Sequence, residues 1–296
     1  MVRPFLSLWP IWLRAFFPIA LGVCWWALGP SVETIPVAVV AVVTALLGVL
    51  QDRLYYRLYG GIRQFRTVTS RRVTLHYAPG LADQWDFAAL LERCETELDH
   101  LIKWFGFPLR RRPVVFLFAK YQEIQRIFGP GYGGTALASV NAIVVADESN
   151  LGELIRHELA HLFSARWNRL APPLLSEGLS TCLQGTETDR PIDVRARPLL
   201  ANRDLTLARL LDRKFFFSKP NAHACYTLAG SFTGFLIRRY GWERYRRFYR
   251  RCVGPCFRAQ FVRCFGVSLD KAEWQWRTEL LVMEVLNRRR RSILGL

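Results

Sequence analysis

Apolar and polar positions divide this chain into two unlike parts. From Ala15 to Leu50 the only charged residue is Glu33. Two apolar runs, Ile11–Leu28 and Ile35–Leu50, flank the polar break SVET. A membrane-spanning helix needs roughly 20 apolar residues. The first run is long enough, with Arg14 near one end free to snorkel. The second is slightly short but extends back to Ser31. Trp9, Trp12, Trp25 and Trp26 sit near the ends of the first run, as an interfacial belt would. A cleaved signal peptide fits less well, because the apolar stretch runs far past a normal h-region. The pattern therefore predicts an N-terminal transmembrane hairpin over 1–52, with a single span and a buried second segment as the alternative.

Residues 53–72 read as a basic juxtamembrane linker, RLYYRLYGGIRQFRTVTSRR, either laid on an anionic membrane surface or simply solvated. Six arginines between Arg53 and Arg72 follow the second run, and the break between the runs carries no Lys or Arg. The positive-inside rule then puts the rest of the chain in the cytoplasm, beside a bacterial-type inner membrane.

From Val73 the periodicity changes. VTLHY at 73–77 alternates as a strand does. Leu81–Phe105 has helical spacing, with Leu90, Leu91, Leu98, Leu101, Ile102 and Phe105 on one face. VVFLFA after Pro113 reads as a buried strand, and Tyr121–Phe128 as a short helix. GPGYGG at 129–134 is a loop, and Thr135–Val140 and Ala142–Ala146 are strands meeting near Asn141. From Leu151 the pattern is helical nearly to the end. Strands first and helices second predict an α+β fold: a small mixed β-sheet subdomain, then a mostly helical one. The segment 288–296 is a basic tail.

Charge and cysteine content narrow the class. Lys and Arg number 41 against 24 Asp and Glu, a net +17, and only five of the 41 are Lys. No finger, RRM or helix-turn-helix signature accompanies the charge, so nucleic acid is not an expected partner. Membrane lipids explain the basic excess with fewer assumptions, and a membrane protein partner is a further option. The seven Cys are scattered through apolar surroundings, which suits a reducing compartment. Cys252, Cys256 and Cys264 cluster, but their spacing is loose for a metal site.

The most informative stretch is 151–185, which contains HELAH at 157–161. On a helix His157 and His161 lie four apart and project from one face, the spacing of two zinc (Zn2+) ligands. Glu158 lies between them, placed to act on a water at the metal without binding the metal itself. Composition alone gives an expected count for this pattern on the order of a few in a thousand. A catalytic zinc wants a third protein ligand. APPLLSEGLS starts a new helix at Pro172 and Pro173 and carries Glu177, with fifteen residues between it and His161.

This arrangement resembles the gluzincin metallopeptidases, in particular their peptidase MA-like group, over roughly 73–285. In those proteins a second helix, often P-x-W-L-x-E-G-x-A, supplies the ligand Glu. Here that signature reads Pro172, Leu174, Leu175, Glu177, Gly178 and Ser180, with Leu for the frequent Trp and Ser for Ala. The resemblance implies that 73–287 is a gluzincin-like domain, with His157, His161 and Glu177 holding zinc and Glu158 as general base. It also implies an edge strand, Thr135–Val140 or Ala142–Ala146, that pairs with an extended peptide or protein substrate. YTLAGSFTGFLIRRYG resembles a further family helix, whose leading Tyr, here Tyr226, donates a hydrogen bond to the oxyanion; His223 is the other candidate. Thermolysin-like enzymes often place an Asp four residues after the ligand Glu to orient a zinc-binding His. That position is Thr181 here, so some other group, such as a backbone carbonyl, must serve.

The expected function is thus a membrane-anchored zinc metallopeptidase. The alternative is a catalytically silent fold of the same kind, acting as scaffold or sensor for a membrane partner. An intramembrane protease fits less well: the HELAH helix lies about a hundred residues beyond the last apolar run and carries Glu153, Arg156 and Arg166 around it.

Overall fold

A computed structural model describes residues 62–129, 133–147, 150–184 and 192–294, with side chains through Val282. The first half holds strands β1 (Arg66–Thr69), β2 (Thr74–Tyr77), β3 (Val114–Phe118), β4 (Gly134–Leu137) and β5 (Ala142–Ala146). Helices α1 (Phe87–Phe105) and α2 (Tyr121–Phe128) are interleaved with them. The second half is helical: α3 (Leu151–Ser164), α4 (Pro173–Gln184), α5 (Ile192–Ala196), α6 (Leu207–Leu210), α7 (Arg213–Phe216), α8 (Ala222–Tyr240), α9 (Trp242–Arg251), α10 (Phe257–Phe265) and α11 (Leu269–Leu294).

The strand order is β1-β2-β3-β5-β4. β2, β3 and β5 run parallel, with Leu75 opposite Val115 and Val115 opposite Ile143. β1 and β4 are antiparallel edges. β3 (VVFLF) and β5 (AIVVA) are apolar without alternation because both faces of the sheet are covered there. Val115, Leu117, Ile143 and Val145 join the main core with α1 and α3. Val114, Phe116, Phe118, Val144 and Ala146 face α2, where they meet Ile124 and Ile127.

Two corrections to the expected fold follow. Helices are interleaved with the strands in the first half, and the central strands are parallel, so the described architecture is mixed α/β with a five-stranded sheet rather than segregated α+β. Second, the expected class included a membrane hairpin. No helix among the described residues is long and apolar enough to cross a membrane, so they do not support membrane anchoring. Residues 1–52, on which the two spans were placed, lie outside the described residues.

The segment read as a linker over 53–72 also contains β1. Its Arg72 is a structural residue: the guanidinium binds Glu95 Oε2 at 2.9 Å and both Asp99 carboxylate oxygens, at 2.5 and 2.9 Å. Part of the charge assigned to a membrane surface therefore ties the β1–β2 hairpin to α1.

α1 begins where the Asp86 side chain accepts from the backbone N–H of Ala88 and Ala89. It ends at Gly106, whose φ of 77° suits glycine. α3 is buried on nearly every side, with Ile155, Leu159 and Phe163 at or near zero exposure. A helix buried all round must satisfy its polar side chains internally. Arg156 does so against Glu97 of α1, donating from Nε and, at 2.7 Å, from Nη2 to the carboxylate. Its Nη1 donates to the Gln184 carbonyl at the end of α4, at 2.8 Å.

α4 and α8 cross at close range. A Cβ on Gly178 would lie 2.9 Å from the Ala229 carbonyl oxygen. One on Gly230 would lie 2.8 Å from the Thr181 methyl. These two glycines set the depth at which α4 lies against α8 and so where Glu177 stands. Removing Arg156 leaves Glu97, 3% exposed, as an unpaired buried charge. Arg156→Ala is expected to lower stability by about 3–5 kcal/mol in urea unfolding, against under 1 kcal/mol for a solvent-exposed pair such as Arg209–Asp204.

Candidate metal centre

α3 presents Glu153, His157 and His161 at intervals of four, on one stripe. α4 lies across that stripe and presents Glu177. The structure brings His157, His161 and Glu177 together: His157 Nε2 is 3.3 Å and His161 Nε2 3.1 Å from Glu177 Oε2, and the two Nε2 atoms are 3.2 Å apart. Among the described residues this is the group of His, Cys, Asp and Glu side chains able to hold a metal ion. Glu177 stays at this point because Gly178, next to it, lets α8 approach.

The donor chemistry fits a cation. His157 Nδ1 lies 3.2 Å from Gln184 Oε1. Gln184 Nε2 donates to Glu153 Oε2 at 3.1 Å, which leaves the amide oxygen facing the imidazole. An oxygen only accepts, so Nδ1 carries a proton, and a neutral His157 keeps its lone pair on Nε2. In that form the lone pair faces a carboxylate oxygen at 3.3 Å. Such a contact is repulsive unless positive charge sits at the centre. Tetrahedral zinc with bonds of about 2.0–2.1 Å sets its ligands about 3.3 Å apart, close to the three separations seen here. The residues fit a two-histidine, one-carboxylate metal; the ion's identity is a separate matter.

Glu158 faces a different neighbour. Gly134, the first residue of β4, comes so close that a Cβ there would lie 2.9 Å from Glu158 Oε1. Burial pushes the Glu158 carboxyl up to about 7, with His157 lowering it and Glu177 raising it further. Burial also pushes Glu177 up, but His161 and His157 outweigh it and hold that carboxyl below the usual range. Two carboxyls beside the same histidines are thus driven in opposite directions: burial dominates at Glu158, while the charge and hydrogen bonds of His161 and His157 dominate at Glu177.

Tyr226 on α8 stands beside the cluster, its ring centroid 6.0 Å from that of His157. Phe216 and Phe217 pack against its ring at 5.3 and 6.3 Å. His223, one turn earlier, is exposed, and no described contact joins its side chain to the cluster. Thr181 is buried with its hydroxyl unpartnered among the described residues. Cys252, Cys256 and Cys264 form no metal-capable group among the described residues. Burial pushes the Cys252 thiol up to about 12, away from the thiolate that ligation needs.

Sequence reasoning missed Gln184, Glu153 and Gly134. A signal existed for the first two: Gln184 is seven residues after Glu177, two turns along the same face, and Glu153 is four before His157. No protein-family model matches the chain, and no curated protein matches it.

The Glu158 shift carries a sign. Its folded-state pKa exceeds its unfolded value of 4.5, so between 4.5 and about 7 the folded state holds more proton than the unfolded one. Metal-free protein is therefore expected to lose stability as pH rises through that window, by on the order of 3 kcal/mol. Glu158→Gln flattens this slope in chelator-treated urea titrations. Glu177 acts with opposite sign and only as pH falls below its unfolded value of 4.5.

Proposed function

We propose that this chain is a zinc-dependent metallopeptidase, as its resemblance to the gluzincins implies. The observation that carries the reading is the triangle of His157, His161 and Glu177 donor atoms with 3.1–3.3 Å edges, with the buried carboxyl of Glu158 alongside. Neither half of that arrangement is needed for a helix pair to pack.

His157, His161 and Glu177 would hold the metal. When bound, zinc supplies Lewis acidity toward a carbonyl and lowers the pKa of water. The chain's own groups do the rest. Glu158, poised near neutrality by burial, takes a proton from the attacking water and returns it to the leaving amine. β4 ends the strand order, so its outer edge has no strand partner among the described residues. An extended peptide added at that edge runs beside Gly134 and so past Glu158. Tyr226, held by Phe216 and Phe217 beside His157, is the better placed of the two oxyanion candidates, because His223 is exposed.

Elemental analysis of chelator-washed, zinc-reloaded protein is expected to find near one zinc per chain. His157→Ala loses it. Glu158→Gln keeps it while lowering peptide hydrolysis about 100- to 10,000-fold. Full zinc loading with no hydrolysis of any member of a diverse quenched-peptide library would favour the scaffold reading instead. For the oxyanion donor, Tyr226→Phe is expected to lower kcat about 100- to 1,000-fold with zinc content intact, while His223→Ala leaves kcat unchanged. The reverse result exchanges the two roles.

A further inference from the structure

We infer that Glu153, acting through the Gln184 side-chain amide, sets the tautomer of His157 and so presents its Nε2 to the metal; this rests on reading His157 as a ligand. The logic is donor and acceptor counting. A carboxylate accepts and cannot donate, so Glu153 Oε2 selects the NH2 end of the amide, 3.1 Å away. The amide can then offer His157 only its oxygen, 3.2 Å from Nδ1. A neutral imidazole carries one N–H, and the oxygen draws it to Nδ1. Nε2 is left with a lone pair pointing at Glu177 and His161. Without Glu153 the amide is free to turn, and its NH2 end would favour the wrong tautomer.

The relay is held in place from outside. Gln184 ends α4, where Arg156 donates to its backbone carbonyl at 2.8 Å while also gripping Glu97 on α1. Glu153 is itself buried and on the same stripe of α3 as His157. The amide therefore bridges two residues of one helix from a second helix that also carries the ligand Glu177. Thr181, one turn after that ligand, is left without this task, its hydroxyl unpartnered among the described residues. His161 has no polar partner at Nδ1 among the described residues and provides an internal control.

Gln184 and Glu153 are positioning residues, and their test needs a readout that packing alone would not move. The full chain is labelled with nitrogen-15 histidine, stripped of metal, and the five imidazoles are read by long-range nitrogen–proton correlation. Wild type is expected to show His157 with its proton on Nδ1. Glu153→Met, which removes the acceptor, and Gln184→Ala shift His157 toward the Nε2–H form and leave His161 as it was. Zinc affinity, from competition with a chromophoric chelator, falls about 10- to 100-fold in each single variant. The double variant E153Q/Q184E exchanges carboxylate and amide: the new amide donates to the new carboxylate, which still accepts from Nδ1. It is expected to recover both the tautomer and the affinity, which a merely structural role would not allow.

Protonation of His157 at Nε2 in wild type overturns the inference, as does unchanged tautomer and affinity in Glu153→Met. Failure of the double variant to recover, with its fold intact by circular dichroism, also overturns it. A wild type that binds no zinc sinks the metallopeptidase reading alone, since the tautomer of His157 still decides the relay.

Discussion

Three polar atoms gathered at one buried point are the constraint on which the centre of this protein depends. Glu177 Oε2 and two imidazole Nε2 atoms lie within 3.3 Å of one another inside the fold. Burying them together is unfavourable unless a cation or shared protons occupy the middle. The surrounding structure reads as the means of enforcing it. Glycine at 178 lets α8 press α4 onto α3. The Arg156–Glu97 pair fixes the end of α4 to α1. Glu153 and Gln184 settle which imidazole nitrogen has the proton. Each costs desolvation or packing freedom, and none is required to bury the apolar core.

The same logic explains why the two acidic side chains near the histidines differ. Glu177 sits where positive charge is wanted and is held ionised. Glu158 projects toward β4, where Gly134 makes room for its carboxylate and the strand excludes water, so burial raises it toward neutrality. Environment, not residue type, separates a carboxylate suited to hold a cation from one suited to move a proton. A glycine in an edge strand and a glycine in a helix thus do related jobs: each removes a side chain so that a functional carboxylate can occupy a defined place.

How far this was legible in the sequence follows from which interactions are local. HELAH puts its residues on one helical face by spacing alone, and Glu177 stands in a recognisable local signature. Tyr121–Phe128 and Ala142–Ala146 match the described elements residue for residue, since period and length identify them. The parallel pairing of β2, β3 and β5 was not legible, because a strand's apolar run does not name its neighbour. β1 was missed because RTVT is short and largely exposed, and because its arginines looked like membrane-flanking charge. Gln184 was not legible because the family signature points to the position four residues past Glu177, and the contact to His157 comes from the position seven past it. Gly134 could not be found at all without its neighbour: nothing in GPGYGG says which glycine will lie against a carboxylate.

The arginine excess deserves the same separation of local from tertiary cause. Arg72 and Arg156 are counted in the net charge, yet each is spent on carboxylates of α1, Glu95 and Asp99 in one case and Glu97 in the other. Arg238 reaches Asp193 and Glu279, and Arg277 reaches Glu273 and the Leu205 carbonyl. The planar guanidinium serves here because one head can satisfy a carboxylate and a backbone carbonyl at once, which the single ammonium of lysine does with less geometric definition. A chain with only five lysines among 41 basic residues is therefore partly describing its interior architecture. Such pairing leaves the net charge untouched, since these four arginines face six carboxylates, so the excess of +17 rests on outward arginines such as Arg244, Arg247, Arg250 and Arg251 of α9, and any argument from charge to a partner starts from them.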